Sequence, residues 1–312
     1  MPDPILYLQA MAAAFGISGV LAWWIQAAGR CLTRPRSAVS EEIVAAASQT
    51  AASPVATAGA LAAAAAGTVA GCISLQLRIG LPPVSALDRF LTLLLPAMLI
   101  VELLALTAPG WLVVILRAAI AVAVPEILLR GSVYVSGSAE AWTSGARLCV
   151  VLGSATLLTV AQLLQPLHRE DSQVFTSLGL AAAILVAGIA IMLAGYLKGG
   201  ATTFPFAAAV AGTAASCRWM SPRASLTAVI QSGTCAVFNL LFIGCFFGAV
   251  PLVRAIAIFL APVCCLIAAL PWLRHRPGWQ AGTIGLLAAC LPLAVVLTLA
   301  ILEFRIRMAP LL

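Results

Sequence analysis

Residues 175–197 read FTSLGLAAAILVAGIAIMLAGYL, 23 positions without a charge. A helix rises about 1.5 Å per residue, so about 20 such residues cross the roughly 30 Å hydrocarbon core of a bilayer. This stretch is a membrane-crossing helix by length and composition, and the rest of the 312 residues agree with it. The chain is 63% hydrophobic and 9% charged, with a mean hydropathy of +1.10. Soluble domains carry about a quarter charged residues. An ordinary soluble, disordered or coiled-coil protein is thereby excluded, and the lipid bilayer is the expected surrounding.

The same criterion gives ten spans: 5–28, 55–76, 90–107, 111–129, 146–166, 175–197, 203–217, 226–247, 252–273 and 280–304. Trp23, Trp24, Trp111, Trp142, Trp219, Trp272 and Trp279 all fall near a span end, where an apolar ring with a polar N–H favours the lipid–water interface. The polar stretch 29–54 is too short for a soluble domain; within it, Ser37–Ser53 is expected to form a short surface helix. The cationic residues stand singly or in short groups at span ends, not as one basic face, which argues against nucleic acid as a partner. Asp3 precedes the first span and Arg30, Arg34 and Arg36 follow it, which predicts an outward N-terminus. Carried through ten spans, the loop cations, these three included, divide eight inside to seven outside, so the orientation rests on the first span alone.

Residues 63–72 (AAAAGTVAGC) and 208–217 (AAVAGTAASC) share seven of ten positions, including Gly67-Thr68 and Gly212-Thr213. Pro54 and Pro205 lie upstream of the two copies, which belong to the second and seventh spans. Five spans per repeat would turn the second copy upside down, the inverted plan of many secondary transporters. The expected fold is an all-α polytopic membrane protein of about ten transmembrane helices. It forms a single transmembrane domain over 1–312, with repeat halves 1–167 and 175–312. Gly67 with Gly71, and Gly212 with Ser216, put small residues at four-residue spacing, which lets helix backbones approach closely.

Charges inside the membrane are costly and therefore informative. Spans three and four turn tightly at Pro109-Gly110, which brings Glu102 and Arg117 to similar depth and pairs Arg89 with Glu126. The structural expectation is two ion pairs locking the hairpin. The functional one is a proton exchanged at Glu102 or an anionic substrate held at Arg117. Pro125, next to Glu126, can free a backbone carbonyl. In span eight, Gln231 and Thr234 share a face, with Asn239 two turns beyond Gln231; interhelical hydrogen bonding is expected of them. Arg254 is expected to snorkel to the headgroups. Residues 195–200, with the unique lysine Lys198, are expected to be a flexible turn in headgroup contact.

The nine cysteines form no CxxC, and His168 and His275 stand in separate loops, so no metal or other cofactor is implied. No GxSxG, HExxH or phosphate-loop motif occurs. The one hydroxyl-rich loop, Ser132, Tyr134, Ser136, Ser138 and Glu140, reads as a polar connection closing on Trp142. A secondary carrier for a small molecule or ion is the first functional expectation, with Glu102, Arg117, Gln231 and Asn239 facing one midplane cavity and Glu126 as a further cavity or coupling residue. A non-catalytic membrane module, packing with partner subunits or lipid, is the alternative, and an intramembrane enzyme the third.

Overall fold

Proline, glycine and capping residues decide where the apolar runs become helices and where those helices stop. The computed structural model describes residues 4–32, 54–77, 80–135, 142–165, 172–220, 225–270, 273 and 275–308, all helix or short connection with no strand among them. Helix α1 is Pro4–Leu32 and α2 is Pro54–Ser74. Helix α3 is composite: Ala86–Arg89, a π-helical turn Phe90–Leu94, then Leu95–Leu104. Pro96 supplies no N–H to the carbonyl four residues back, and the ladder widens so that the Leu95 N–H reaches the Phe90 carbonyl. Its start is fixed by a reciprocal cap between Ser85 and Asp88. Then come α4, Gly110–Leu129, which continues through Pro125; α5, Ser144–Leu164; and α6, Gln173–Leu193.

Gly195, at φ +95°, ends α6. The Tyr196 N–H returns to the Ile191 carbonyl and the Gly195 N–H to Met192, a closure that requires the left-handed backbone glycine tolerates. A short helix, Leu197–Ala201, takes the place of the expected flexible turn. Helix α7 is Thr203–Met220 and α8 is Thr227–Phe247. Helix α9 is Leu252–Leu260, tightening to a 3₁₀ run over Ala261–Ala269, and α10 is Gly278–Met308.

Eight of these helices are long and apolar enough to cross a membrane, as a multi-pass integral membrane protein requires. The two outside that set are α3, interrupted and charged, and α7, the shortest span in the sequence. The surface helix expected over 37–53 lies outside the described residues, as do Ser136, Ser138, Glu140 and Trp272. Trp23, Trp24, Trp111, Trp219 and Trp279 stand exposed near helix ends. Trp142 differs: it is half-buried against Tyr134 and Phe246, with ring centroids 5.0 and 5.3 Å away.

Helix α8 is the centre, with every residue from Ala228 to Gly244 buried. Beside it, α1, α2 and α7 meet along their small residues. A Cβ on Gly67 would come within 2.6 Å of the Ala14 carbonyl and 3.2 Å of Ala209 Cβ. One on Gly71 would meet Ala10, Ala14 and Pro205. One on Gly212 would lie 2.6 Å from the Phe15 carbonyl, and Ser216 Oγ donates to the Gly19 carbonyl at 2.9 Å. These contacts fix direction: α2 runs antiparallel to α1, and α7 runs parallel to it. The two echoed segments therefore thread the molecule in opposite senses. Cys72 lies near the level of Ala10, whereas Cys217 accepts from Gln26 Nε2, about 24 Å further along α1. We call the side where α1 starts the entry face and the other the far face.

Neighbour relations agree in part with a five-helix repeat. Helix α1 on α2 matches α6 on α7, α3 on α4 matches α8 on α9, and α4 on α5 matches α9 on α10. Helix α6, however, also packs on α8, α9 and α10, while α1 packs extensively only on α2 and α7.

Replacing Gly71 by valine forces α2 away from α1 and α7 and is expected to cost about 1–3 kcal/mol. A thermal-unfolding series in detergent checks this, with Gly145→Ala as control, since a Cβ at Gly145 meets nothing within 4 Å.

Candidate functional site

The deepest charges sit where α3, α4, α5 and α8 converge. Arg117 Nε donates to Glu102 Oε1 at 2.8 Å and its Nη2 to Oε2 at 2.7 Å, the two-pronged geometry in which a guanidinium best matches a carboxylate. The Glu102 and Arg117 side chains are only 5% and 17% exposed. The expected pair forms because the Pro109-Gly110 turn returns α4 alongside α3 at matching depth.

Around the pair lie Gln162, Gln231, Ser232, Cys235 and Met98, enclosing a void of about 10 Å³, room for about one water molecule. Gln231 Nε2 donates to the Gln162 backbone carbonyl at 2.9 Å. One turn on, Gln165 Nε2 donates to Thr234 Oγ1 at 3.1 Å. The Gln231–Thr234 face thus binds α5 to α8, as interhelical hydrogen bonding predicts. The amide oxygens of Gln162 and Gln231 are buried with no donor among the described residues. The site pairs a neutralised charge with two unsatisfied acceptors, a combination suited to a water, a proton-bearing group or a small donor.

Several sequence expectations need correcting. Glu126 does not join this cluster: it pairs with Arg147 of α5 towards the entry face. Nor does it pair with Arg89, whose guanidinium donates to the carbonyls of Val84, Ile127 and Arg130. The last carbonyls of α4 have no partner within their helix, so they compete for the cation and win. Asn239 is not a lining residue; its Nδ2 donates to the Cys235 carbonyl at 2.8 Å and approaches Met98 Sδ at 3.8 Å. The cluster is also off the midplane, with Gln231 and Arg117 about 6–10 Å inside the far-face ends of α8 and α4. Arg254 reaches Glu303 of α10 at 2.5 Å. Lys198 lies 3.7 Å from Asp88.

Gln162 escaped the sequence reading, although an amide inside the apolar run 157–164 carries the same signal as Gln231. All four acids among the described residues, Asp88, Glu102, Glu126 and Glu303, have a cationic partner. Of these only Glu102 is held on the far-face half, away from the helix ends of the entry face. Among the described residues no three His, Cys, Asp or Glu side chains converge on a metal-sized site. Comparisons with known protein families, with curated proteins and with solved structures find no match.

Removing one partner strands the other in a low-dielectric interior. Arg117→Met is expected to lower stability by about 3–5 kcal/mol, and Glu102→Met combined with Arg117→Met to recover most of that loss. Chemical unfolding of the two variants in mixed micelles reads the difference.

Proposed function

We propose that the protein is a secondary carrier for a small molecule or ion. In this reading ten helices cross the membrane as two inverted halves, with the N-terminus outward. The observation that carries it is the opposite threading of the echoed helices α2 and α7 against their common partner α1. Two related segments entering the membrane from opposite sides are what alternating access uses.

Glu102 is then the coupling group. Neutralising its carboxylate releases the Arg117 fork, and the freed guanidinium, with the acceptor oxygens of Gln162 and Gln231, provides charge and hydrogen bonds to a passing solute. Asn239, bonded one turn along α8, fixes the packing of Met98 and Cys235 at the edge of the void. A second reading, a non-catalytic membrane module, is favoured by a different observation: every described acid is paired and the polar cluster encloses room for about one water.

The two readings separate in two measurements. On a cysteine-free background, Gln76→Cys and Trp219→Cys, both at exposed positions, are treated with an impermeant maleimide in right-side-out vesicles. Labelling of Gln76→Cys from outside and of Trp219→Cys only after the vesicles are opened is expected; labelling of both from one face removes the inverted plan. Proteoliposomes carrying an internal pH dye are then challenged with a panel of small organic anions and cations. A solute-driven proton flux that Glu102→Gln abolishes supports the carrier. A flux unchanged by Glu102→Gln contradicts its coupling role, and no flux for any solute favours the module.

A further inference from the structure

A large cavity lies apart from the Glu102 cluster, between α5, α8 and α9 in the entry-face half, with a volume of about 490 Å³. Its floor is a ladder of rings. Phe238, Phe242 and Phe246 recur every four residues on α8, with Phe242–Phe246 centroids 4.5 Å apart and Phe238–Phe242 6.1 Å. Phe259 of α9 closes the inner end at 5.4 Å from Phe238. At the outer end Phe246 meets Trp142, and Tyr134 Oη donates to the Phe246 carbonyl at 3.2 Å. From Phe246 to Phe238 the floor runs about 12 Å into the membrane. The α5 wall is cut back at Gly153, where a Cβ would meet nothing within 4 Å. Helix α5 rests on α4 and α8 and makes no comparable packing with α9, so the groove opens sideways.

A sideways opening between membrane-crossing helices faces hydrocarbon, not water, and a cavity of this size falls within the roughly 300–1,000 Å³ of ordinary ligand pockets. Apart from Ser154 the lining is apolar, which suits a flexible hydrocarbon chain. The outer end has interfacial character. Trp142 and Tyr134 combine an apolar ring with a polar edge. Arg147 of α5 and Arg254 of α9 stand near the same ends of their helices, each in an ion pair, with Glu126 and Glu303.

We propose that this groove holds one acyl chain of a membrane phospholipid, its tail along Phe246, Phe242 and Phe238 and its headgroup beside Trp142. The site stands apart from the coupling role of Glu102, and either can fail without the other.

The test uses the full chain in phosphatidylcholine vesicles containing a phosphatidylcholine with a diazirine in its acyl chain. After irradiation, adducts are mapped by peptide mass spectrometry. Adducts are expected to concentrate on groove residues of α5, α8 and α9 and to saturate as the probe fraction rises, while those on exposed α10 residues such as Leu287 and Leu291 rise in proportion. Gly153→Phe fills the groove and is expected to lower groove adducts about tenfold, the effect of about 1.4 kcal/mol of lost affinity, with α10 unchanged. Ser154→Leu serves the same purpose should the larger residue impair folding, and the saturation test needs no variant. Labelling that is uniform over lipid-facing helices, or undiminished in a folded plug variant, overturns the proposal. So does an oxidative Cys149–Cys149 dimer with an unlabelled groove, which would put a second copy there.

Discussion

Three helix backbones, those of α1, α2 and α7, meet with almost no side-chain bulk between them. In a bilayer the lipid tails are as apolar as the helices, so little hydrophobic gain favours helix–helix contact over helix–lipid contact. What remains is close van der Waals packing, and the small faces around Gly67, Gly71, Gly212 and Ser216 permit it. The other elements depend on that seam. It sets α2 and α7 in opposite directions and gives both a flank against α8, the helix surrounded by protein along most of its length.

Complete enclosure has a chemical consequence. Polar groups on α8 have neither water nor headgroups to turn to, so each needs a partner from a neighbouring helix. Gln231 and Thr234 find theirs on α5, and Asn239 returns to its own backbone. Charges obey the same rule: the described acids all hold a cation, and Arg89, with no carboxylate partner among the described residues, takes the open carbonyls at the end of α4. Satisfaction is incomplete: the amide oxygens of Gln162 and Gln231 beside Glu102–Arg117 are among several buried acceptors with no donor among the described residues, Asn239 Oδ1 and Gln26 Oε1 being others.

Eight spans were legible because an apolar run of about 20 residues has few other uses, while α3 and α7 fall outside that set; Glu102–Arg117 was legible because a tight turn equalises depth on its two arms. Arg89 with Glu126 was misread for a specific reason. Matching depth considered only side chains of opposite charge, while helix-end carbonyls accept from arginine as well and Arg147 arrives from a helix outside the hairpin. The π-turn of α3 has a visible cause in Pro96, but the resulting shift in register depends on packing. The groove could not be read at all, since an empty space is set by what Gly153 leaves unfilled between three helices distant in sequence.

The central claim is that the two echoed segments pass in opposite directions along one partner helix. Oxidative cross-linking in intact membranes addresses it with cysteine pairs on an otherwise cysteine-free chain. A Cβ on Gly59 lies 3.1 Å from Ile25 Cβ, and one on Gly19 lies 3.2 Å from Ser216 Oγ, close enough for disulfides. Ile25→Cys with Gly59→Cys and Gly19→Cys with Ser216→Cys are both expected to form intramolecular disulfides, while Ile25→Cys with Cys72 retained gives none. A disulfide between Ile25→Cys and Cys72, with none to Gly59→Cys, would mean that α2 runs parallel to α1 and would contradict the account.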